Sequence, residues 1–126
     1  MIVRPYTDDD FPEIAEWGRR WGAKYSADQF PKVGFIVPGL AAYFLYQTDS
    51  TICFMENLIS NREADPKQRA QAVDLVTMAI ISSAQMLGYR VAYATTDVAT
   101  VVVRALAQGA QARSKQTLLI KNLAHS

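Results

Sequence analysis

The stretch FMENLISNREADPKQRAQAVDLVTMAIISSAQML, residues 54–87, holds an apolar strand, a polar turn and a long helix in succession. The strand, TICFMENLIS over 51–60, is nearly continuous in apolar residues, as expected of a central strand covered on both faces. Pro66 suits a first helical position, and Val73, Val76, Ile80, Ala84 and Leu87 form a stripe at helical spacing. Gly88 is a C-terminal stop. A strand that ends where a helix begins makes a place for a phosphate. The first N–H groups of the helix lack internal partners, and its dipole is positive there. If the chain takes a cofactor, its expected place is between the end of this strand and residues Lys67 to Ala72.

Outward from this stretch, RVAYATT at 90–96 reads as a strand. Its return after a long helix implies a right-handed crossover and a parallel neighbour. Asp97 is placed to cap a helix over VATVVVRALAQ, 98–108, which ends at Gly109; the valines Val101, Val102 and Val103 pull the same segment toward strand. TLLIKNL, 117–123, closes the chain as a strand, and left at an edge it would invite pairing into a homodimer. Upstream, VGFIV at 33–37, the turn Pro38-Gly39, AAYFLYQT at 41–48 and the turn Asp49-Ser50 lead into the central strand. Short turns make these strands an antiparallel meander. Tyr43 and Leu45 share one face, Phe44 and Tyr46 the other. Residues 1–6 read as a short strand, and Thr7 with Asp8, Asp9 and Asp10 as a helix cap. Phe11, Ile14, Gly18, Trp21 and Tyr25 recur along a helix over 9–22. Residues 28–31 fit a loop or a short second helix.

The 126 residues are the size of one domain, 1–126, with one core. Half the chain is apolar, a fifth is charged and the net charge is +1, an ordinary globular balance. Near-neutral charge gives no support to nucleic-acid binding. Aromatics in AAYFLYQ could stack on bases, but no basic residue interleaves with them. No stretch is long and apolar enough to span a membrane, and MIVRPYTDDD has no apolar signal-peptide core, so a cytoplasmic address is expected. The lone Cys53, within an apolar run, reads as a small buried hydrophobe. A catalytic thiol needs a histidine, and His125 is the only one; it also argues against a metal site.

The order strand, helix, three-strand meander, long helix, strand, helix, strand resembles the GNAT superfamily of N-acetyltransferases. The resemblance spans essentially the whole chain, less a full second helix and one late strand. It implies an α/β fold, a mixed sheet in which an antiparallel meander is followed by a parallel crossover, with helices on both faces. Small, divergent relatives of this kind occur among phage proteins. The family signature is Arg or Gln, two residues, Gly, one residue, then Gly or Ala, opening the long helix, with the pyrophosphate of acetyl-CoA on its backbone amides. Lys67-Gln68-Arg69-Ala70-Gln71-Ala72 keeps small residues at both glycine positions and places Leu75 and Val76 at the family's apolar pair. The alternative register, from Arg69 to Asp74, keeps the arginine but puts aspartate where a small residue belongs. Alanine with negative φ merely crowds the anion; with positive φ it would cost about 1–2 kcal/mol. The resemblance also implies that Leu58, Ile59 and Ser60 match the segment that pairs with the pantetheine arm, and that Glu56 stands where relatives often carry a general base. The tyrosine expected four residues before the late glycine is Ala105 here, and the phenylalanine expected after it is Ala110.

Glu56 interrupts an apolar strand. A buried carboxylate is costly unless paired, and burial raises its pKa toward useful base values. The competing reading pairs it with an arginine or points it to solvent at a bulge. Trp17, Trp21 and Tyr25 could wall an acceptor pocket, with core packing the expected role of Trp21 at least. The reaction implied is acetyl transfer from acetyl-CoA to an amine on a small molecule or protein. The alternative is a binding or assembly protein on the same fold that has lost this chemistry. A cleft opening after Asn57 would favour the enzyme; filling of that cleft by Met78 or Arg90 would favour the binder.

Overall fold

The structure is a computed structural model that describes residues 1–96, 106–107, 109–113, 119 and 121–123. The chain divides into two units, Met1–Thr95 and Thr96–Ser126. In the first unit the strands are β1 (Arg4–Pro5), β2 (Val33–Val37), β3 (Ala41–Tyr46), β4 (Ile52–Ser60) and β5 (Val91–Tyr93), and the helices α1 (Phe11–Arg20) and α2 (Pro66–Met86). The sheet order is β1-β2-β3-β4-β5; all pairs are antiparallel except β4 with β5, which is parallel. The expected meander and parallel crossover are both present. In the second unit Leu106 and Ala107 are helical, and Gly109 (φ +93°) bonds back to Leu106 O, as at a helix end. The rest of the helix expected over 98–108 and its Asp97 cap lie outside the described residues. Of the strand expected at 117–123, Leu119 and residues 121–123 are not in strand, and the remainder is not described.

One helix covers each face of the sheet. Ala72, Val76, Ile80 and Ala84 of α2 pack on Val37, Tyr43, Leu45, Cys53 and Met55. Ile14 and Trp17 of α1 pack on Ile36, Ala42, Phe44 and Ile59. The alternation of β3 is as the sequence pattern predicts, with Tyr43 and Leu45 on one side and Phe44 on the other. The stripe of α2 is shifted from the expected one: Ala72 is fully buried and Leu87 is exposed. Leu87 lies past the last helical residue, where a Schellman turn at Gly88 (φ +92°) redirects the chain, with Tyr89 N–H on Ala84 O at 3.1 Å. Trp21 is not a core residue; it caps the C-terminus of α1 and is half exposed, while Trp17 takes the buried place.

The acidic run caps as expected. A 3₁₀ turn at Asp8–Asp10 precedes α1; the Asp10 carboxylate accepts Thr7 N–H at 2.9 Å and grips Arg4 with both oxygens at 2.7 and 2.8 Å. The doubtful region at 28–31 becomes a 3₁₀ turn at Ala27–Gln29.

Candidate functional site

β4 carries one residue more than β3 across their pairing. Glu56 opposes Phe44, but Ile59 opposes Ala42, so the extra residue falls at Asn57 and Leu58, opposite Tyr43. This is a β-bulge. Asn57 has φ +58°, the left-handed region that asparagine tolerates better than other side chains, and is the one such non-glycine among the described residues. Its side-chain Nδ2 donates to Tyr46 Oη at 2.6 Å, and Tyr46 Oη donates to Gln29 O at 3.0 Å. The bulge flips the phase of the strand. Met55 and Leu58 face α2, and Ile59 faces α1.

β4 and β5 part company at the same place. Their register runs Ile52–Val91, Cys53–Ala92, Phe54–Tyr93 and stops, while β4 continues to Ser60. Two positions further along this register, where Glu56 would face Thr95, the link runs through the Glu56 side chain instead. Its Oε1 accepts the Thr95 N–H at 3.0 Å, and the Thr95 hydroxyl lies 3.2 and 3.0 Å from the two oxygens. Among the described residues no arginine pairs with Glu56. Burial pushes its pKa above the ordinary glutamate range, and the Thr95 hydrogen bonds offset part of that rise. Beyond this point β4 has no strand partner on this edge among the described residues. Asn61 N–H bonds Leu40 O at 2.8 Å, so Ser60 and Ala41 face each other as a non-hydrogen-bonded pair. Ser60 therefore turns its own N–H and C=O to the open edge, and by alternation so does Leu58. Met78 and Arg90 do not fill this opening: both are exposed, and Arg90 N–H bonds Thr51 O at the far end of the strand.

α2 begins at Pro66, so residues 67–72 lie within its first two turns. Ala70 and Ala72 keep negative φ, so neither is strained; Ala72 is packed in the core. Asp65, which the sequence reading passed over, is the N-cap, and its carboxylate accepts Gln68 N–H at 3.1 Å. An aspartate directly before Pro66 is the local signal that identifies it. Arg69 N–H is bonded to Asp65 O, and the Arg69 guanidinium turns back to Arg62 O at 2.9 Å. Lys67 is exposed, and among the described residues neither its side chain nor its N–H, an amide of the first turn, has a hydrogen-bond partner. Gln68 and Gln71 are exposed. The structure thus aligns Glu56, Leu58 and Ser60 along one strand edge and leads it into the α2 N-terminus, while Ile59 points into the core.

The surface hollows lie elsewhere. One of about 490 Å³ sits between Met1, Ile2, the β2–β3 turn and Gln68; another of about 160 Å³ is lined by Cys53, Ala84 and Tyr89 among others. Neither touches Glu56 or Ser60; the candidate site is a strand edge whose residues Glu56, Leu58 and Ser60 are partly buried. Cys53 is fully buried and burial raises its thiol pKa, which fits a packing role. Among the described residues no cluster of His, Cys, Asp and Glu could hold a metal, and no helix is long and apolar enough to cross a membrane.

No family model and no curated protein sequence matches the chain. Solved structures do. An acetyltransferase from Trypanosoma brucei superposes with TM-score 0.68 at 11% identity, covering 95% of this chain and 99% of that one. The ribosomal-protein-S18-alanine N-acetyltransferase of Escherichia coli gives 0.68 at 12% identity over 86% and 76%. An aminoglycoside acetyltransferase from an uncultured soil sample, solved with sisomicin, gives 0.65 at 10% identity over 98% and 96%. The chain has the GNAT fold.

Proposed function

We propose that the chain is a cytoplasmic acyl-CoA-dependent N-acetyltransferase that acetylates an amine on a small molecule or protein. The observation that supports this most is the parting of β4 from β5 at Glu56, with a carboxyl of raised pKa at the mouth of the opening and, beyond it, backbone groups that no strand of the described residues pairs. Peptide N–H and C=O groups of Leu58 and Ser60 suit an extended arm that carries amides. Lys67, by its N–H and its ammonium, is the group of 67–72 best placed for pyrophosphate. Bound acetyl-CoA would supply the activated thioester. Glu56, or a water it orients, takes the proton from the acceptor ammonium, and a β4 edge amide polarises the carbonyl under attack. Fold neighbours with different acceptors give no choice among amines.

Assay of thiol release from acetyl-CoA over a panel of amines tests the reading. Glu56→Gln is expected to lower turnover by roughly 10²–10⁴-fold while leaving cofactor affinity intact. Unchanged turnover excludes Glu56 as the base. One observation favours a second reading, a binding protein without this chemistry: the Asp65 carboxylate occupies an amide that a pyrophosphate would use. No stabilisation by acetyl-CoA or CoA at concentrations far above micromolar would support that reading.

A further inference from the structure

The C-terminus of α1 reaches the open edge of β4. α1 ends in a Schellman turn: Ala23 N–H bonds Gly18 O at 2.9 Å and Gly22 N–H bonds Arg19 O at 3.0 Å, with Gly22 at φ +85°. This fixes the backbone of Trp21, the C-cap. The indole Nε1–H donates to Ser60 O at 2.8 Å. The Arg62 guanidinium lies over the ring, 4.9 Å from its centre, and donates to Arg20 O at 3.4 Å. Trp21 is 50% exposed, so one half of the ring stays in solvent. Ser60 O faces the edge that β5 has already left.

We infer that the Trp21 indole is a displaceable stand-in for a ligand amide. Its N–H fills the acceptor that the amide of an extended arm would use, and so completes one rung of a ladder that no strand of the described residues completes. This rests on the acetyl-CoA reading and adds to it a residue that sets the affinity and selectivity of the edge. A ligand with a secondary amide at this position can replace the indole, because donor exchanges for donor. An ester or hydrocarbon arm cannot, because it would leave the Ser60 carbonyl without a donor. Trp21 therefore weakens every ligand that must displace it, and weakens least the one that restores the hydrogen bond.

Tryptophan emission reads the exchange, because Trp17 is 3% exposed and Trp21 is 50%. Wild type and Trp21→Phe are titrated with acetyl-CoA, by emission for the wild type and calorimetry for both. Saturation should move the wild-type emission. Trp21→Phe should bind about three- to tenfold more tightly, the worth of one competing hydrogen bond. Arg62→Gln, which loosens the ring without touching Ser60, should shift affinity the same way by a smaller factor. If the wild type binds and both variants bind equally well or worse, the stand-in is overturned and the acetyl-CoA reading survives. No binding by any of the three at millimolar acetyl-CoA overturns both.

Discussion

Glu56 sits where strand pairing gives way to side-chain pairing. Its raised pKa means that folding favours the protonated form more than the unfolded chain does. Its contribution to stability is thus greatest below the unfolded glutamate pKa and is lost as pH rises through the folded value. Activity should follow the opposite course, because a base must be ionised: transfer should rise with pH through an ionisation above the ordinary glutamate range, and Glu56→Gln should abolish that limb. A pH–rate profile of both proteins checks this. Asp10 has the contrary sign. Arg4 and the Thr7 N–H hold its pKa below the usual range, so its stabilisation is present above the unfolded value and is lost as pH falls through the folded one. Asn57 tests the bulge. Asn57→Gly should keep the fold, whereas Asn57→Val should cost about 1–2 kcal/mol or more for the left-handed backbone, read as a lowered Tm.

At the scale of elements, close approach of α1 to its neighbours depends on Gly18. A Cβ there would stand 2.4 Å from the Tyr25 ring, so Gly18→Ala should destabilise by about 1–3 kcal/mol in chemical denaturation unless Tyr25 swings away. The start of α2 depends on Asp65. Asp65→Ala should cost about 1 kcal/mol of stability. Asp65→Asn keeps a capping oxygen and removes the charge, so it should be nearly neutral for stability and should raise affinity for the cofactor's phosphates, as salt-dependent calorimetry would show. Much of this level was legible in the residues. Period-2 alternation in AAYFLY and the 3.6-residue period from Val73 to Ala84 identify β3 and α2, and Gly88 identifies the stop, because burial and backbone freedom are local properties. The bulge was less so. Asn57 interrupts the strand visibly, but which way it throws the following residues depends on Tyr46, eleven positions earlier. Trp21 misled for a related reason. Its helical spacing is compatible with the core, and only the tertiary position of Ser60 shows that the indole is spent on a backbone carbonyl. Leu87 fell outside the stripe because the helix ends one residue before it.

For the whole molecule, the order of elements was decisive and no residue motif was. The sheet, its parallel pair β4–β5 and a helix on each face among the described residues place the chain in the GNAT fold. α2 runs unbroken from Pro66 through Ala70 and Ala72, and alanine favours helix where glycine favours a loop. Its start is capped by the Asp65 carboxylate. The central claim is that the edge still takes acetyl-CoA. Thermal unfolding of the wild type with acetyl-CoA, with CoA and with neither tests it most directly, because a ligand of the folded state stabilises by mass action. At a concentration about a hundred times the dissociation constant, acetyl-CoA should add about 2.7 kcal/mol, a rise in Tm on the order of 10 °C. An unchanged Tm at millimolar acetyl-CoA and CoA would contradict the claim.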